Sequence, residues 1–387
     1  MMIHVNVPME SKGIRVNALR ELLDLGQSIW YDNINREMVA GGELKRKVEE
    51  GLTGVTSNPT IFDKAITTTL GYDDQIQRLL RRSPAPPIGE IIQELMIADV
   101  TAAADVLRPV YDQTHGYDGF VSIEVTPSKA RDTQATIEEV RVLWKRVSRP
   151  NLMVKIPATV EGLPAIRQML FEGININVTL IFSVDRYRAV ADAYLTALEQ
   201  RVANGLPLEG ITSVASVFVS RIDTMVDALL ETKIANGEME IVGLRGTAAV
   251  ANTQMVYQAF KKLFTSKRFA ALAAKGGHAQ RPLWGSTGTK NPAYSDLKYV
   301  EPLVGAHTIN TVPPQTYDAI LDHAKPVISI EMNLGEAKKN LEALELHGIL
   351  MDDVTGALER EGVAAFEKSF DGLGRYLEQK RATFVAA

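Results

Sequence analysis

The sequence predicts an α/β fold in which eight parallel strands alternate with helices and close into a (β/α)8 barrel, followed by a C-terminal helical extension. Eight short runs rich in β-branched and aromatic residues are separated by longer amphipathic stretches, and eight is the number that closes such a barrel. An open doubly wound sheet is the alternative, but no GxGxxG motif follows the first run. We expect one domain over residues 1–387, with the barrel at about 15–325 and the extension at about 326–387.

The predicted strands are five to nine residues long, and their composition favours strands over buried helices. Both faces of such strands are covered in a barrel, which explains why the runs are almost continuously apolar. They cover residues 28–32, 53–57, 119–125, 152–156, 174–182, 212–219, 282–286 and 307–312.

The stretches between these runs contain helix signals. Leu163 and Met169 fall on one face of a predicted helix, and Gly173 is placed to end it. Ser183 can cap the start of the next helix. The segment 83–87 (SPAPP) predicts a loop between two helices. After residue 326 the pattern is helical only and ends in a charged amphipathic stretch, which we expect to pack on the barrel.

Composition excludes several classes of function. The chain has no cysteine, which removes disulfides, thiolate nucleophiles and Cys-ligated metals. The net charge is -5 with acidic and basic residues interleaved, so neither a nucleic acid nor an anionic membrane is an expected partner. No apolar run approaches the length of a membrane span, and the first residues lack an export signal, so we expect a cytoplasmic protein. No feature indicates an oligomeric state.

Polar side chains lie at the predicted carboxyl ends of most strands. In a (β/α)8 barrel the active site is built at those ends, so these side chains are candidates for chemistry. They are Asp32, Asn58, Glu124, Lys155, Asn177 with Thr179, Ser216 with Arg221 soon after, and Ser286 in a glycine-rich turn that reaches Lys290.

Lys155 is the most informative of these residues because it stands inside an apolar strand (LMVKIP). Burying an ammonium ion costs free energy, so such a lysine tends to lose its charge or to acquire a charged partner. A neutral amine can attack a ketone and form a Schiff base. The alternative is a lysine that extends to the barrel rim or pairs with a carboxylate, and Lys155 taken alone favours that alternative.

The other candidates also allow two interpretations each. Glu124 (VSIEV) can move protons for an amine or simply form an ion pair with it. Asp32 (IWYD) can act in the same site or cap the next helix, and Asn58 (SNPT) can mark only a turn. Arg221 and Lys290 are candidates for a phosphate group, the first as a fork and the second as a point charge.

Together, an internal lysine, two acids, amides and basic residues at successive strand ends fit a Schiff-base lyase or transferase of phosphorylated sugars. The six histidines are scattered, with no HxH or HExxH motif, so we expect no metal and disfavour a zinc-dependent aldolase.

Five stretches resemble the successive strand motifs of the transaldolase family and occur in the order of that family. The resemblance covers roughly residues 15–325, and the C-terminal extension resembles the longer bacterial type found in actinobacteria and cyanobacteria. The five stretches are GVTSNPTIFDKAI, VSIEVTP, NLMVKIPAT, GININVTLIFS and SVASVFVSRID.

The resemblance implies a role for each candidate residue. It implies that Lys155 is the Schiff-base lysine and that Asp32 is the general base for carbon–carbon cleavage. It further implies that Glu124 and Thr179 position the catalytic water and transfer protons around the amine. The remaining matches are substrate-binding: Asn58, Asn177 and Ser216 for the dihydroxyacetone unit, and Arg221 and Ser286 for the phosphate group.

One departure from the family pattern concerns the phosphate site. Shorter transaldolases have a second phosphate-binding arginine two residues after the serine, where this chain has Gly288. Lys290, further along the same turn, is the residue that we expect to supply the charge, although a lysine is not a bidentate clamp.

The resemblance also implies the reaction, which is a reversible transfer of dihydroxyacetone between sugar phosphates without a cofactor. Two alternatives remain at this stage. A fructose-6-phosphate aldolase shares the lysine, but that subgroup typically has a tyrosine where this chain has Glu124. A non-catalytic sugar-phosphate-binding barrel is also possible in principle, because a fold does not determine a function.

Overall fold

A computed structural model describes residues 17–82 and 84–386 and contains a closed barrel of eight parallel strands, in which β1 pairs with both β2 and β8. The predicted (β/α)8 barrel is thereby confirmed. Residues 1–16, where we expect no export signal, and Ser83 of the predicted loop lie outside the described residues. The strands are β1 Gln27–Tyr31, β2 Gly54–Val55, β3 Phe120–Glu124, β4 Leu152–Pro157, β5 Ile176–Ile181, β6 Ser213–Phe218, β7 Arg281–Gly285 and β8 Thr308–Val312.

All eight predicted strands are present, and the largest difference relative to strand length is at β2. The sequence predicts a strand at 53–57, whereas β2 covers only Gly54–Val55. The reason is local: Pro59 begins the next helix and Asn58 caps it by accepting a hydrogen bond from the Ile61 N–H at 3.0 Å. The chain therefore leaves the sheet before the predicted end of the strand.

Fifteen α-helices occur in the described part of the chain, and their ends follow the expected chemistry. Ser183 caps its helix by accepting from the Arg186 N–H at 3.0 Å, and Gly173 ends the preceding helix with a φ of 94°. The helices are α1 Ala18–Asp24, α2 Arg36–Ala40, α3 Glu43–Glu50, α4 Pro59–Thr68, α5 Asp73–Leu80, α6 Ile88–Gln113, α7 Thr133–Val147, α8 Gly162–Glu172, α9 Val184–Ala203, α10 Ser220–Ala235, α11 Ala248–Phe264, α12 Lys267–Ala273, α13 Pro314–His323, α14 Leu334–Leu346 and α15 Met351–Ala386.

The inside of the barrel is filled by a separate cluster of large apolar side chains. A glycine makes room for the largest of them: a Cβ atom on Gly54 would lie 2.5 Å from the indole of Trp30. The barrel is therefore a packed core with no channel through it. The cluster consists of Trp30, Phe120, Met153, Val214, Leu283 and Ile309.

A buried ion pair closes the amino-terminal end of the barrel. Asp118 precedes β3 and accepts hydrogen bonds from Ser28 Oγ and, at 2.6 Å, from the Trp30 indole N–H. The Arg281 guanidinium lies 3.5 Å from the Asp118 carboxylate and stacks on the Tyr117 ring at 4.1 Å. Both charged side chains are buried, so each compensates for the desolvation of the other.

We expect Asp118→Ala to lower the free energy of unfolding by about 3–5 kcal/mol, because it leaves Arg281 buried without a countercharge. Chemical denaturation of the purified variant measures the change. Asp112→Ala is the matched control, because Asp112 forms an exposed pair with Arg108 at 2.8 Å. Its loss should cost below about 1 kcal/mol. Equal effects in the two variants would contradict a structural role for the buried pair.

The C-terminal extension packs on the barrel through its last helix. Helix α15 contacts α4, α6 and α10, and it also reaches the end of β5. Its Ser369 hydroxyl forms a hydrogen bond with Thr60 of α4 at 2.8 Å. Helix α4 follows the carboxyl end of β2, and α10 follows that of β6. Helix α15 therefore lies beside the face of the barrel that contains the candidate residues.

Candidate active site

A cavity of about 530 Å³ opens at the carboxyl ends of the strands. Eight of the ten candidate residues line it, although they come from β4, β5 and β6, from the first turn of α10 and from the loops after β1, β2 and β7. The two that do not line it, Glu124 and Asn177, are buried directly behind the lining. The eight are Asp32, Asn58, Lys155, Thr179, Ser216, Arg221, Ser286 and Lys290.

Lys155 is almost completely buried in β4, with 5% of its side chain exposed. Its ammonium donates a hydrogen bond to the Ser57 carbonyl at 2.9 Å and lies 3.1 Å from a carboxylate oxygen of Glu124. The register explains this pairing, because Glu124 of β3 stands directly opposite Lys155 of β4. The amine therefore does not extend to the rim, and it reaches the cavity beside a carboxyl group that can exchange a proton with it.

Two buried carboxyl groups, those of Glu124 and Asp32, lie near the amine of Lys155. Burial raises the pKa of Glu124 above its usual value, with the Lys155 charge acting in the opposite direction and the Asp32 charge adding to the rise. Burial likewise raises the pKa of Asp32, which Lys155 and a hydrogen bond from Thr56 Oγ1 at 2.7 Å counteract. A raised pKa brings a carboxyl group closer to neutral pH, where a proton donor and acceptor works best.

Asp32 is not a helix cap. The next helix, α2, is capped by Asn35, whose side chain accepts from the Met38 N–H at 2.8 Å. Asp32 thus lines the cavity, and among the described residues Thr56 is the one side chain that donates a hydrogen bond to it. The cap is therefore excluded, and a role for Asp32 in the reaction stays a prediction.

Thr179 occupies an irregular part of β5. The pairing between β5 and β6 shifts so that Thr179 and Leu180 together stand opposite Ser216, which is a β-bulge. Leu180 has a φ of 58°, in the left-handed region that a leucine rarely adopts. Thr179 lines the cavity, and its hydroxyl is buried without a hydrogen-bond partner among the residues that the structure describes.

Asn177 takes a different position from the one its family role implies. Its side-chain carbonyl accepts from Ser216 Oγ at 2.6 Å, and its amide donates to Ser122 Oγ at 3.0 Å. Asn177 is fully buried and does not line the cavity. It therefore fixes the hydroxyl of Ser216, which does line the cavity.

The start of α10 and the turn after β7 meet at the other side of the cavity. The Ser220 N–H donates to the Ser286 carbonyl at 3.0 Å, and the two hydroxyls lie 3.1 Å apart. Arg221 follows Ser220, and burial lowers the pKa of its guanidinium, with the charges of Glu361 and Asp32 acting in the opposite direction. Hydroxyl groups and a guanidinium converge here, as an oxyanion site requires.

Gly288 leaves no room for a side chain in this turn, and the Lys290 ammonium lies close to it. A Cβ atom on Gly288 would lie 2.9 Å from the Pro313 ring, so a side chain at this position would collide with the loop after β8. The Lys290 ammonium lies 3.7 Å from the position of that Cβ atom, and Lys290 lines the cavity. The cation of Lys290 therefore occupies space next to the position where shorter family members are expected to have an arginine.

Helix α10 also fixes the far end of this turn. Asp223 accepts a hydrogen bond from the Tyr299 hydroxyl at 2.9 Å, and Asp227 accepts one from the Tyr294 hydroxyl at 2.6 Å. One helix thus contains Arg221 in its first turn and anchors the loop that contains Lys290.

Two functional contributors were not identified in the sequence. Thr56 holds Asp32, and its position directly after β2 was a usable signal because polar residues at strand ends were the criterion. Phe366 of α15 lines the cavity although it is more than 50 residues from β8 in sequence. The amphipathic pattern around Phe366 predicted only that this helix packs on the barrel.

Two further features concern metals and membranes. Within residues 17–82 and 84–386, the one group of histidine and acidic side chains close enough to share an ion is Glu238, Glu240 and His347, and none of them lines the cavity. Across the described residues, no helix combines the length and the apolar character that a membrane crossing requires.

Comparison with known proteins gives one consistent result. Residues 29–377 match the family model described as Transaldolase/Fructose-6-phosphate aldolase. A Saccharopolyspora erythraea protein named Transaldolase is 49% identical over 92% of this chain and 95% of its own length. A Thermobifida fusca Transaldolase is 48% identical (92% and 96%), and Transaldolase 2 of a Nostoc species is 44% identical (94% and 98%).

Proposed function

This chain belongs to the transaldolase/fructose-6-phosphate aldolase family, and on that premise we propose that it is a transaldolase that works through a Schiff base on Lys155. It moves a dihydroxyacetone unit from fructose 6-phosphate or sedoheptulose 7-phosphate to erythrose 4-phosphate or glyceraldehyde 3-phosphate, in the non-oxidative pentose phosphate pathway. The observation that supports this most is the buried amine of Lys155, 3.1 Å from the Glu124 carboxylate at a cavity that Asp32 also lines.

The first step joins the substrate to the enzyme. Glu124 takes a proton from the ammonium of Lys155, and the neutral amine attacks the ketone carbon. Glu124 then returns the proton to the hydroxyl of the carbinolamine, which leaves as water and yields an iminium ion. We assign Thr179, which lines the cavity, to hold this water together with Glu124.

The second step breaks the carbon–carbon bond. Asp32 takes the proton from the hydroxyl group on the carbon of the breaking bond that is farther from the iminium. That carbon becomes the aldehyde, and the electron pair of the bond moves into the iminium. The products are an aldose phosphate, which leaves, and a three-carbon enamine that stays on Lys155. No cofactor is required, because the iminium itself accepts the electrons.

The same steps in reverse complete the transfer. The enamine attacks the aldehyde of a second aldose phosphate, Asp32 returns its proton, and hydrolysis frees the amine. Ser216 and Asn58 line the cavity and are placed to bind the hydroxyl groups of the three-carbon unit, with Asn177 acting through Ser216. Ping-pong kinetics follow from the covalent intermediate.

The phosphate group of each substrate is assigned to Arg221, Ser286 and Lys290. We expect Arg221→Ala to raise KM for fructose 6-phosphate by about 10- to 100-fold while changing kcat less, because a charged hydrogen bond remote from the reacting carbon is lost. Lys290→Ala should behave alike but more mildly. Steady-state kinetics with fructose and fructose 6-phosphate as donors measure this, since fructose lacks the phosphate and is the internal control. Equal losses for both donors would contradict the assignment.

The product mixture separates transfer from its alternatives. With fructose 6-phosphate and erythrose 4-phosphate, a transaldolase forms sedoheptulose 7-phosphate and glyceraldehyde 3-phosphate. A fructose-6-phosphate aldolase would release free dihydroxyacetone from fructose 6-phosphate alone, and a binding protein would form neither product. We expect transfer, and a cytoplasmic location suits these phosphorylated substrates.

A further inference from the structure

We propose that the C-terminal helix α15 positions the Thr179 hydroxyl, through a contact between Gly362 and Leu180. The inference rests on the proposed function, because Thr179 matters only if water and protons move beside Lys155. It assigns to the C-terminal extension a part in the proton-transfer steps of the reaction.

The starting point is the bulge in β5. Val178 pairs with Ala215 and Ile181 pairs with Val217, so two residues of β5 span the distance that Ser216 spans alone. Such bulges re-aim side chains beside active sites. Here the extra residue is Leu180, whose φ of 58° turns the chain between Thr179 and Ile181.

A left-handed leucine persists only where its surroundings hold it. The Thr179 hydroxyl cannot do so, because it has no hydrogen-bond partner among the described residues. Leu180 itself is fully buried, so its side chain is fixed by the atoms packed around it. The Ala158 N–H holds the carbonyl of Thr179 at 2.7 Å, which fixes the β4 side of the strand. The turn that follows Thr179 at the bulge depends in addition on what covers Leu180.

Helix α15 covers it through a glycine. A Cβ atom on Gly362 would lie 2.9 Å from one methyl carbon of Leu180 and 3.4 Å from the other, so a side chain at position 362 would have to displace the side chain of Leu180. Phe366, one helical turn after Gly362 and on the same face, lines the cavity. The Ser369 hydroxyl, about one turn further on, forms a hydrogen bond with the Thr60 hydroxyl at 2.8 Å. The helix is therefore fixed beyond Gly362 and cannot simply move away from Leu180.

The test adds volume at Gly362. We expect Gly362→Val to slow the formation of the borohydride-trappable adduct with fructose 6-phosphate by about 10- to 100-fold, within the range of general acid–base contributions, with KM changed less than about threefold. Gly356→Val on the same helix is the matched control, because a Cβ atom there meets only the Arg360 guanidinium, at 3.5 Å. It should form the adduct at the wild-type rate.

A second variant separates positioning from a loss of stability. Adding Leu180→Ala to Gly362→Val removes the two methyl groups that the valine displaces. The double variant should regain at least part of the lost adduct-formation rate, even if its melting temperature stays as low as that of Gly362→Val. Equal adduct rates for Gly362→Val and Gly356→Val would overturn the inference. The inference would also be overturned if adding Leu180→Ala did not raise the adduct-formation rate of Gly362→Val, or raised it only together with the melting temperature.

A crystal structure of the Gly362→Val variant keeps this inference distinct from the proposed function. If wild-type protein formed no adduct, the proposed function would fall, while the structure would still decide the positioning claim. We expect the Thr179 hydroxyl to be displaced in that variant. An unmoved Thr179 hydroxyl contradicts the inference whatever the enzyme catalyses.

Discussion

Replacing Lys155 with alanine is expected to leave a folded protein with a transfer rate lower by on the order of 10⁴-fold or more, the scale seen when one member of a catalytic unit is removed. No other side chain beside Glu124 can supply the iminium. Folding should survive because the pKa of Glu124 is already raised by burial, so the carboxyl group can take up a proton when its partner is lost. A coupled assay for glyceraldehyde 3-phosphate and circular dichroism measure the two effects.

Lys155→Arg is the control for charge. Arginine retains a cation beside Glu124 but has no amine that forms a Schiff base under these conditions. It should therefore be as inactive as the alanine variant, with less loss of stability. Transfer at more than a small fraction of the wild-type rate in Lys155→Arg would mean that the charge of Lys155 matters and its nucleophilicity does not.

Asp32→Asn and Glu124→Gln are expected to fail at different steps, each slowed by roughly 10²- to 10⁴-fold. Asp32→Asn keeps an oxygen that can accept the hydrogen bond from Thr56, so the site should retain its shape and form the adduct normally. It should then release glyceraldehyde 3-phosphate slowly. Glu124→Gln should form the adduct itself slowly, because the amide cannot exchange protons with Lys155.

Rapid-quench experiments with borohydride separate the two variants. The fraction of trapped enzyme over time measures adduct formation, and the aldose phosphate released in a single turnover measures cleavage. If Asp32→Asn also forms no adduct, Asp32 is not the cleavage base alone. If Glu124→Gln forms it at the wild-type rate, another group moves the protons around Lys155.

The barrel could be predicted from the sequence because each strand is a local pattern. A run of β-branched residues identifies a strand wherever it occurs, and the polar residue at the end of each run then falls on one face of a parallel barrel. Lys155 was identified in this way. The structure adds the register of β3 and β4, which places Glu124 opposite it.

Contacts between distant segments could not be predicted in the same way. The sequence left open whether Asp32 caps the next helix, and only the hydrogen bond that Asn35 accepts from the Met38 N–H shows that it does not. The position of Lys290 over Gly288 depends on Pro313 in another loop. Such arrangements arise from packing between elements, which a pattern within one element does not contain.

The C-terminal helix illustrates the same limit most clearly. Its apolar spacing predicted that it packs on the barrel, but nothing local to Phe366 or Gly362 indicated that one lines the cavity and the other lies on Leu180. The left-handed conformation of Leu180 is equally invisible in sequence, because leucine has no preference for it.

Borohydride trapping with fructose 6-phosphate, followed by mass analysis of the digested protein, tests the Schiff-base mechanism most directly. Three lysines line the cavity, Lys64, Lys155 and Lys290, so the position of the label discriminates among them. The mechanism predicts a reduced three-carbon adduct on the peptide that contains Lys155, and none on Lys155→Ala. A label on Lys64 or Lys290, or no label on wild-type protein that performs the transfer, would contradict it.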